Sequence, residues 1–124
     1  MIIGTGIDLV EIDRFKKIID LTGVAKKILH TNELKEFNKK AKDQSVFLAK
    51  KFAFKEAFVK ALGTGFREPY YLDRVEIIKD KFGKPSVVTH GEAREEFKNL
   101  GITKAHVSLS DTENYVVAFV VLER

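Results

Sequence analysis

The chain contains no cysteine and no tryptophan, and only one methionine and two prolines among 124 residues. Without cysteine, a disulfide scaffold and any thiolate metal site are excluded, and the composition suits a reducing compartment. No apolar run approaches the roughly 20 residues that cross a bilayer. The opening MIIGTGIDLVEI lacks the basic start of a secretory signal and is interrupted by glycines and an aspartate. A cytoplasmic protein without membrane attachment is the expectation. What is present is ordinary for a folded chain, with 44% hydrophobic residues, a share that argues against disorder. At this length one core serves the whole chain, so residues 1–124 are read as a single domain.

Acidic charge is scarce in one half only. Residues 1–60 hold 13 Lys/Arg against 8 Asp/Glu, whereas residues 61–124 hold 9 against 10. The net charge of +4 therefore belongs to the N-terminal half. Such a half either faces solvent as a lysine-rich surface or meets an anionic partner: a nucleic acid, a phosphorylated small molecule or an acidic protein.

The period-two pattern from Ile2 to Val10 predicts a strand with Ile3, Thr5, Ile7 and Leu9 on one face and Gly4, Gly6, Asp8 and Val10 on the other. Asp8 thus shares a face with two glycines, where another backbone or a ligand approaches closely. Helices are predicted over 13–22, ended by Gly23, over 32–41 with Thr31 as N-cap, and over 45–62. DRVEIIKD and KPSVVTH around DKFGKP read as a hairpin, EAREEFKNLG as a short helix, and AHVSLSD and NYVVAFVVLE as two final strands. This order predicts an α+β fold, a mainly antiparallel sheet with helices packed on it. Residues Tyr115 to Leu122 are apolar on both faces, whereas an antiparallel strand with one wet face alternates. A further surface, that of another subunit, is expected to cover the second face.

The chemistry concentrates in KFAFKEAFVKALGTG, residues 51–65. Phe54, Ala57, Phe58, Ala61 and Leu62 form one helix face, while Phe52 and Val59 fall on the side of Glu56, which leaves Glu56 and Lys60 in a narrow strip. These two are i and i+4 and within reach of each other; as an exposed pair they contribute only about 0.3–0.5 kcal/mol. Gly63, Thr64 and Gly65 form either an ordinary helix stop or a run of main-chain N–H groups open to phosphate oxygens. Asp8, Glu56 and Lys60 together suit a hard cation bridging phosphates. Mg²⁺ is commonly held by one or two carboxylates, waters and the substrate's own phosphate oxygens. His30, His90 and His106 are read as structural or surface residues.

GTGIDLVEIDRF at 4–15, FLAKKFAFKEAFVKALGTG at 47–65, FGKPSV at 82–87 and HVSLSDTENYVVAFVV at 106–121 together resemble the holo-[acyl-carrier-protein] synthase family, the small, single-domain 4′-phosphopantetheinyl transferases. The resemblance implies transfer of the phosphopantetheine arm of coenzyme A to a serine of an apo acyl carrier protein, with release of adenosine 3′,5′-bisphosphate, in fatty acid biosynthesis. It also implies a homotrimer with active sites between subunits. Asp8 and Glu56 match the family's metal-binding acids, taken here for Mg²⁺, and with Lys60, beside the pyrophosphate, they match its catalytic set. Gly63, Thr64 and Gly65 match the loop lining the coenzyme A site, and Lys84 and Pro85 match a segment near the nucleotide. Lys51 matches a substrate-binding position where arginine is usual, so the charge is kept and the bidentate fork lost. Arg14 and Lys17 match the basic helix that meets the acidic carrier protein. Asp111 stands where the family commonly carries histidine, and an acid there repels a phosphate unless a neighbouring Lys or Arg compensates. Two rival readings are a basic RNA-binding module and a homologue that has lost catalysis. The first requires aromatics beside Lys/Arg on an exposed sheet face, whereas most phenylalanines here occupy core-like helix positions. The second sits badly with an intact Asp8, Glu56 and Lys60.

Overall fold

In a computed structural model the whole chain, residues 1–124, is described. It runs β1 (Ile2–Glu11), α1 (Ile12–Lys16), α2 (Leu21–Ile28), α3 (Thr31–Lys39), α4 (Gln44–Leu62), a 3₁₀ turn (Leu72–Arg74), β2 (Val75–Lys79), β3 (Pro85–Thr89), α5 (Glu92–Asn99), β4 (Lys104–Asp111) and β5 (Tyr115–Glu123). The strands form an antiparallel sheet of order β1-β5-β4 and a separate β2-β3 hairpin. The expected α+β architecture is present. No helix is long and apolar enough to cross a membrane.

The register places Gly6 opposite Val120, Asp8 opposite Ala118 and Val10 opposite Val116. Val116, Ala118, Val120 and Leu122 are fully buried, and this face carries α4. The helix lies so close that a Cβ on Gly6 would fall 1.9 Å from the Ala57 carbonyl oxygen, and one on Gly4 2.0 Å from that of Ala61. The two glycines of β1 therefore admit a helix backbone. Around this contact the core gathers Phe37, Leu48, Phe54, Phe58, Tyr70 and Ile77. Phe58 meets the Tyr70 ring edge-on at 6.2 Å, and burial pushes the Tyr70 hydroxyl up to about 12.

The opposite face of the sheet is bare. Ile7 is 58% exposed, Leu9 64%, Phe119 44% and Tyr115 48%.

Two helix boundaries differ from expectation. Residues 13–22 do not form one helix: α1 stops at Lys16, and Asp20 starts α2 by accepting the Gly23 N–H at 3.0 Å. Gly23 is thus not a stop but part of the new first turn, where a Cβ would meet the Asp20 carboxylate at 2.1 Å. For α3 the N-cap is His30, not Thr31. Its Nδ1 accepts the Asn32 N–H at 3.1 Å, and Glu33 reaches back to the His30 N–H at 2.9 Å, completing a capping box. Imidazole does here what a hydroxyl usually does.

The long helix α4 is buried on several sides, and two of its lysines, Lys51 and Lys55, are buried with it. Lys55 is fully buried and donates to the carbonyls of Ile28 (2.7 Å) and Leu72 (2.9 Å) and to the Glu33 carboxylate. Lys51 donates to the Ile77 carbonyl at 2.7 Å, and the Ile77 N–H donates to Glu33 at 2.9 Å. Desolvation pushes both lysines down, while the Glu33 charge pulls them back. This network pins α3 and β2 to α4.

Candidate active site

Asp8 reaches the site because the alternation of β1 turns it toward α4, one step beyond the glycines that let the helix approach. Its carboxylate is mostly shielded, with 14% of the side chain exposed, and accepts a bond from Lys60 Nζ at 2.9 Å. Lys60 also donates to the Ile7 carbonyl at 3.0 Å. The contact foreseen between Glu56 and Lys60 along the helix is therefore replaced by one between helix and strand, where Lys60 finds two acceptors instead of one.

Glu56 is half-buried and has no hydrogen-bond partner in the chain. Burial holds its pKa above the ordinary carboxylate range, and the nearby Asp8 charge raises it further, against the opposing pull of Lys60 and Arg14. Two carboxylates that repel each other, one of them without a donor, form an oxygen-donor set suited to a hard divalent cation. Arg14, exposed on α1, is close enough to act on Glu56.

The Gly-Thr-Gly segment follows directly. Gly63 takes the left-handed conformation (φ 77°), and its N–H bonds to the carbonyls of Val59 and Lys60; the Thr64 N–H bonds to Val59. Two of the three N–H groups read as open to phosphate thus belong to the helix cap. Only the Gly65 N–H lacks an acceptor.

The other sequence-selected residues lie elsewhere. A cleft of about 800 Å³ runs between α3, α4 and the β2-β3 hairpin, lined among others by Lys50, Lys51, Lys79, Pro85 and Asp111 but not by Asp8, Glu56 or Lys60. Lys51 sits at its inner wall, committed to Ile77 and Glu33. Lys84 is exposed at the hairpin turn, its N–H held by Asp80 at 2.9 Å. Asp111 faces Lys50, with Nζ 3.5 Å away, which supplies the compensating cation its position demands. Lys17 is not a free cation: Asp13 pairs with it at 2.9 Å, one turn earlier.

The histidines are less scattered than their sequence positions imply. His30 and His90 stack with ring centroids 4.0 Å apart, and both face Glu76. His106 pairs with Glu123 at 2.8 Å. Residues 30, 76 and 90 give no local sequence signal of meeting; the β2-β3 hairpin brings Glu76 and His90 together, and the start of α3 packed beside it adds His30.

The chain matches known proteins along nearly its whole length. Residues 4–120 match the family described as the 4′-phosphopantetheinyl transferase superfamily. It is 42% identical over 125 residues to the holo-[acyl-carrier-protein] synthase of Laribacter hongkongensis, covering 99% of each chain. Its fold superimposes on the holo-[acyl-carrier-protein] synthase crystal structure from Neisseria meningitidis with a TM-score of 0.92 at 38% identity, covering 100% of both chains. The Bacillus anthracis enzyme, solved in complex with coenzyme A (3′,5′-ADP), matches with a TM-score of 0.83 at 34% identity, covering 99% of this chain and 97% of that one. A strand-and-helix pair of acids followed by Gly-Thr-Gly thus occurs within a fold and a sequence shared end to end, and the chain belongs to the holo-[acyl-carrier-protein] synthase family of 4′-phosphopantetheinyl transferases.

Proposed function

We propose that this protein transfers the 4′-phosphopantetheine group of coenzyme A to a serine hydroxyl of an apo acyl carrier protein, releasing adenosine 3′,5′-bisphosphate, with Mg²⁺ as cofactor and in the service of fatty acid biosynthesis. The observation that carries this reading is the convergence of Asp8, Glu56 and Lys60 across the β1–α4 contact.

Attack at phosphorus requires positioning and charge neutralisation more than covalent chemistry from the protein. Asp8 and Glu56 would hold Mg²⁺ against the pyrophosphate. When bound, the ion supplies Lewis-acid polarisation of the phosphoryl oxygens and stabilises the leaving bisphosphate. Lys60 holds a fixed positive charge beside the acids, where negative charge grows as the bond to the leaving bisphosphate breaks. The serine proton, released as the new oxygen–phosphorus bond forms, would pass to a carboxylate such as Glu56, whose pKa burial raises, or to a water beside the acids. The Gly65 N–H, free of a partner in the chain, would donate to a phosphate oxygen just past α4.

The metal-type acids and the α3–α4–hairpin cleft are separate regions of one chain, and the bare face of β1 and β5 is apolar. Both features fit a homotrimer in which the cleft of one subunit, with Lys51 and Pro85 in its wall and Lys84 at the adjoining hairpin turn, meets Asp8, Glu56 and Lys60 of the next. Arg14 would then dock the acidic carrier protein beside the phosphates, joined by Lys17 where the carrier's acids displace Asp13 from it. Incubating the protein with coenzyme A, Mg²⁺ and an apo carrier protein and weighing the carrier tests the reaction: it gains one phosphopantetheine. An unchanged carrier mass across several carrier proteins would overturn the reading.

A further inference from the structure

Three side chains with no part in that reaction converge where α3 begins beside the β2-β3 hairpin. Glu76 follows Val75, which pairs with Thr89 across the hairpin. His90 follows Thr89, and its N–H donates to the Arg74 carbonyl at 2.9 Å. His30 caps α3. Glu76 Oε1 lies 2.8 Å from His90 Nε2 and 3.6 Å from His30 Nδ1, and one ligand atom from each residue falls within 4.8 Å of the others. Each comes from a different element, each element fixed by its own backbone bonds.

The charge of this cluster calls for a cation. Glu76 is 7% exposed, and its only direct partners are the two histidines; Lys51 lies near enough to feel its charge but bonds to the Ile77 carbonyl instead. A buried carboxylate is costly unless it is paired. The neighbouring Lys55 is already matched to Glu33. While His30 caps α3, its Nδ1 accepts the Asn32 N–H and carries no proton. No cation of the chain bonds Glu76 directly, and a metal ion seated among the three side chains would do so.

The geometry points to a site for one borderline divalent cation, Zn²⁺ foremost, held by His30 Nδ1, Glu76 Oε1 and His90 Nε2. Ligand atoms about 2.1 Å from a tetrahedral Zn²⁺ stand roughly 3.4 Å apart; the two separations from Glu76, 2.8 and 3.6 Å, bracket this value, and the third pair lies within 4.8 Å. Two imidazoles and one carboxylate, with a water in the fourth position, form a set that zinc takes. Mg²⁺ prefers oxygen ligands and does not compete for it. The rings, now 13° from parallel, have to part, because each lone pair lies in its own ring plane. His90, with 32% of its side chain exposed, has room to turn. His30 exchanges its bond to Asn32 for the metal, while the Glu33 bond to its N–H keeps the other half of the capping box. A bound ion ties α3 to the hairpin that carries Pro85 along the cleft wall, so occupancy stiffens that wall.

Chelator-treated protein titrated with Zn²⁺ by calorimetry, in excess Mg²⁺, tests the site. Wild type is expected to bind one Zn²⁺ per chain at this cluster. His90→Ala, and His30→Asn, which keeps a capping acceptor, are each expected to weaken binding beyond the ~10–100-fold cost of losing a mere outer-shell partner. Asp8→Asn is expected to leave it intact. Co²⁺ in place of Zn²⁺ should give visible absorption typical of a tetrahedral ion, absent in His90→Ala. No Zn²⁺ uptake by wild type would overturn the inference. So would uptake that persists in His90→Ala but disappears in Asp8→Asn, which would place the ion at the acids of β1 and α4. Because the His90 ring is partly exposed, that variant remains informative even if His30→Asn does not fold.

Discussion

Glu56 sits half-buried without a hydrogen-bond donor, and burial raises its pKa, so the folded state holds its proton more tightly than the unfolded chain does. Stability from such a group is present at low pH and lost as pH rises through the folded-state pKa. Glu56→Gln is therefore expected to melt higher than wild type at neutral pH. The gain should disappear when the medium is acidified below the ordinary carboxylate range, where Glu56 is protonated in both states; thermal melts across pH check this. The same variant should lose transfer activity about 100-fold or more, the scale on which removing one electrostatic group slows a reaction. A gain in stability with a loss of turnover is what a functional carboxylate held in an unfavourable setting produces. Arg14→Glu should raise the KM for the carrier protein while leaving that for coenzyme A nearly unchanged. The defect should shrink as salt rises, because screening removes the steering that wild type enjoys. Equal damage to both substrates would remove α1 from the docking surface. The residue types of this site were legible in the sequence; its contacts were not. Lys60 bonds to Asp8, a residue 52 positions away, and no helical spacing announces that.

The close approach of β1 to α4 explains why two glycines alternate along the strand, a feature visible in the sequence as a face without side chains. Gly6→Ala places a methyl group against the Ala57 carbonyl, whose oxygen lies 1.9 Å from the added Cβ, and only a shift of strand from helix relieves it. About 1–3 kcal/mol of lost stability is expected, as for overpacking generally, together with impaired transfer, since the shift separates Asp8 from Glu56. Retained turnover with retained stability would contradict the packing account. The buried lysines are a different matter. Lys55 reads in the sequence as another charge on an amphipathic helix, yet it is fully buried because α2, α3 and the 3₁₀ turn supply three acceptors from outside the helix. Lys55→Ala leaves Glu33 buried without its nearest cation, and a loss of about 3–5 kcal/mol is expected, read from urea unfolding. The break between α1 and α2 escaped the helical period for a related reason: Asp20 captures the Gly23 N–H, a local bond that periodicity does not register.

For the whole molecule, one apolar sheet face covers the core and the other, with Ile7, Leu9, Tyr115 and Phe119, is left uncovered by the chain. The two-faced β5 was legible in the sequence as a strand that fails to alternate. Light scattering is expected to report a trimer at micromolar concentration, and a stable monomer would remove the grounds for a site shared between subunits. The central claim is that Asp8 and Glu56 hold the cation on which transfer depends. It is tested most directly by measuring phosphopantetheine transfer against Mg²⁺ concentration for wild type and Asp8→Asn side by side. The account predicts that the variant stays folded, needs far more Mg²⁺ to reach its maximum, and turns over slowly even there. Near-normal turnover of Asp8→Asn at sub-saturating Mg²⁺ would contradict it.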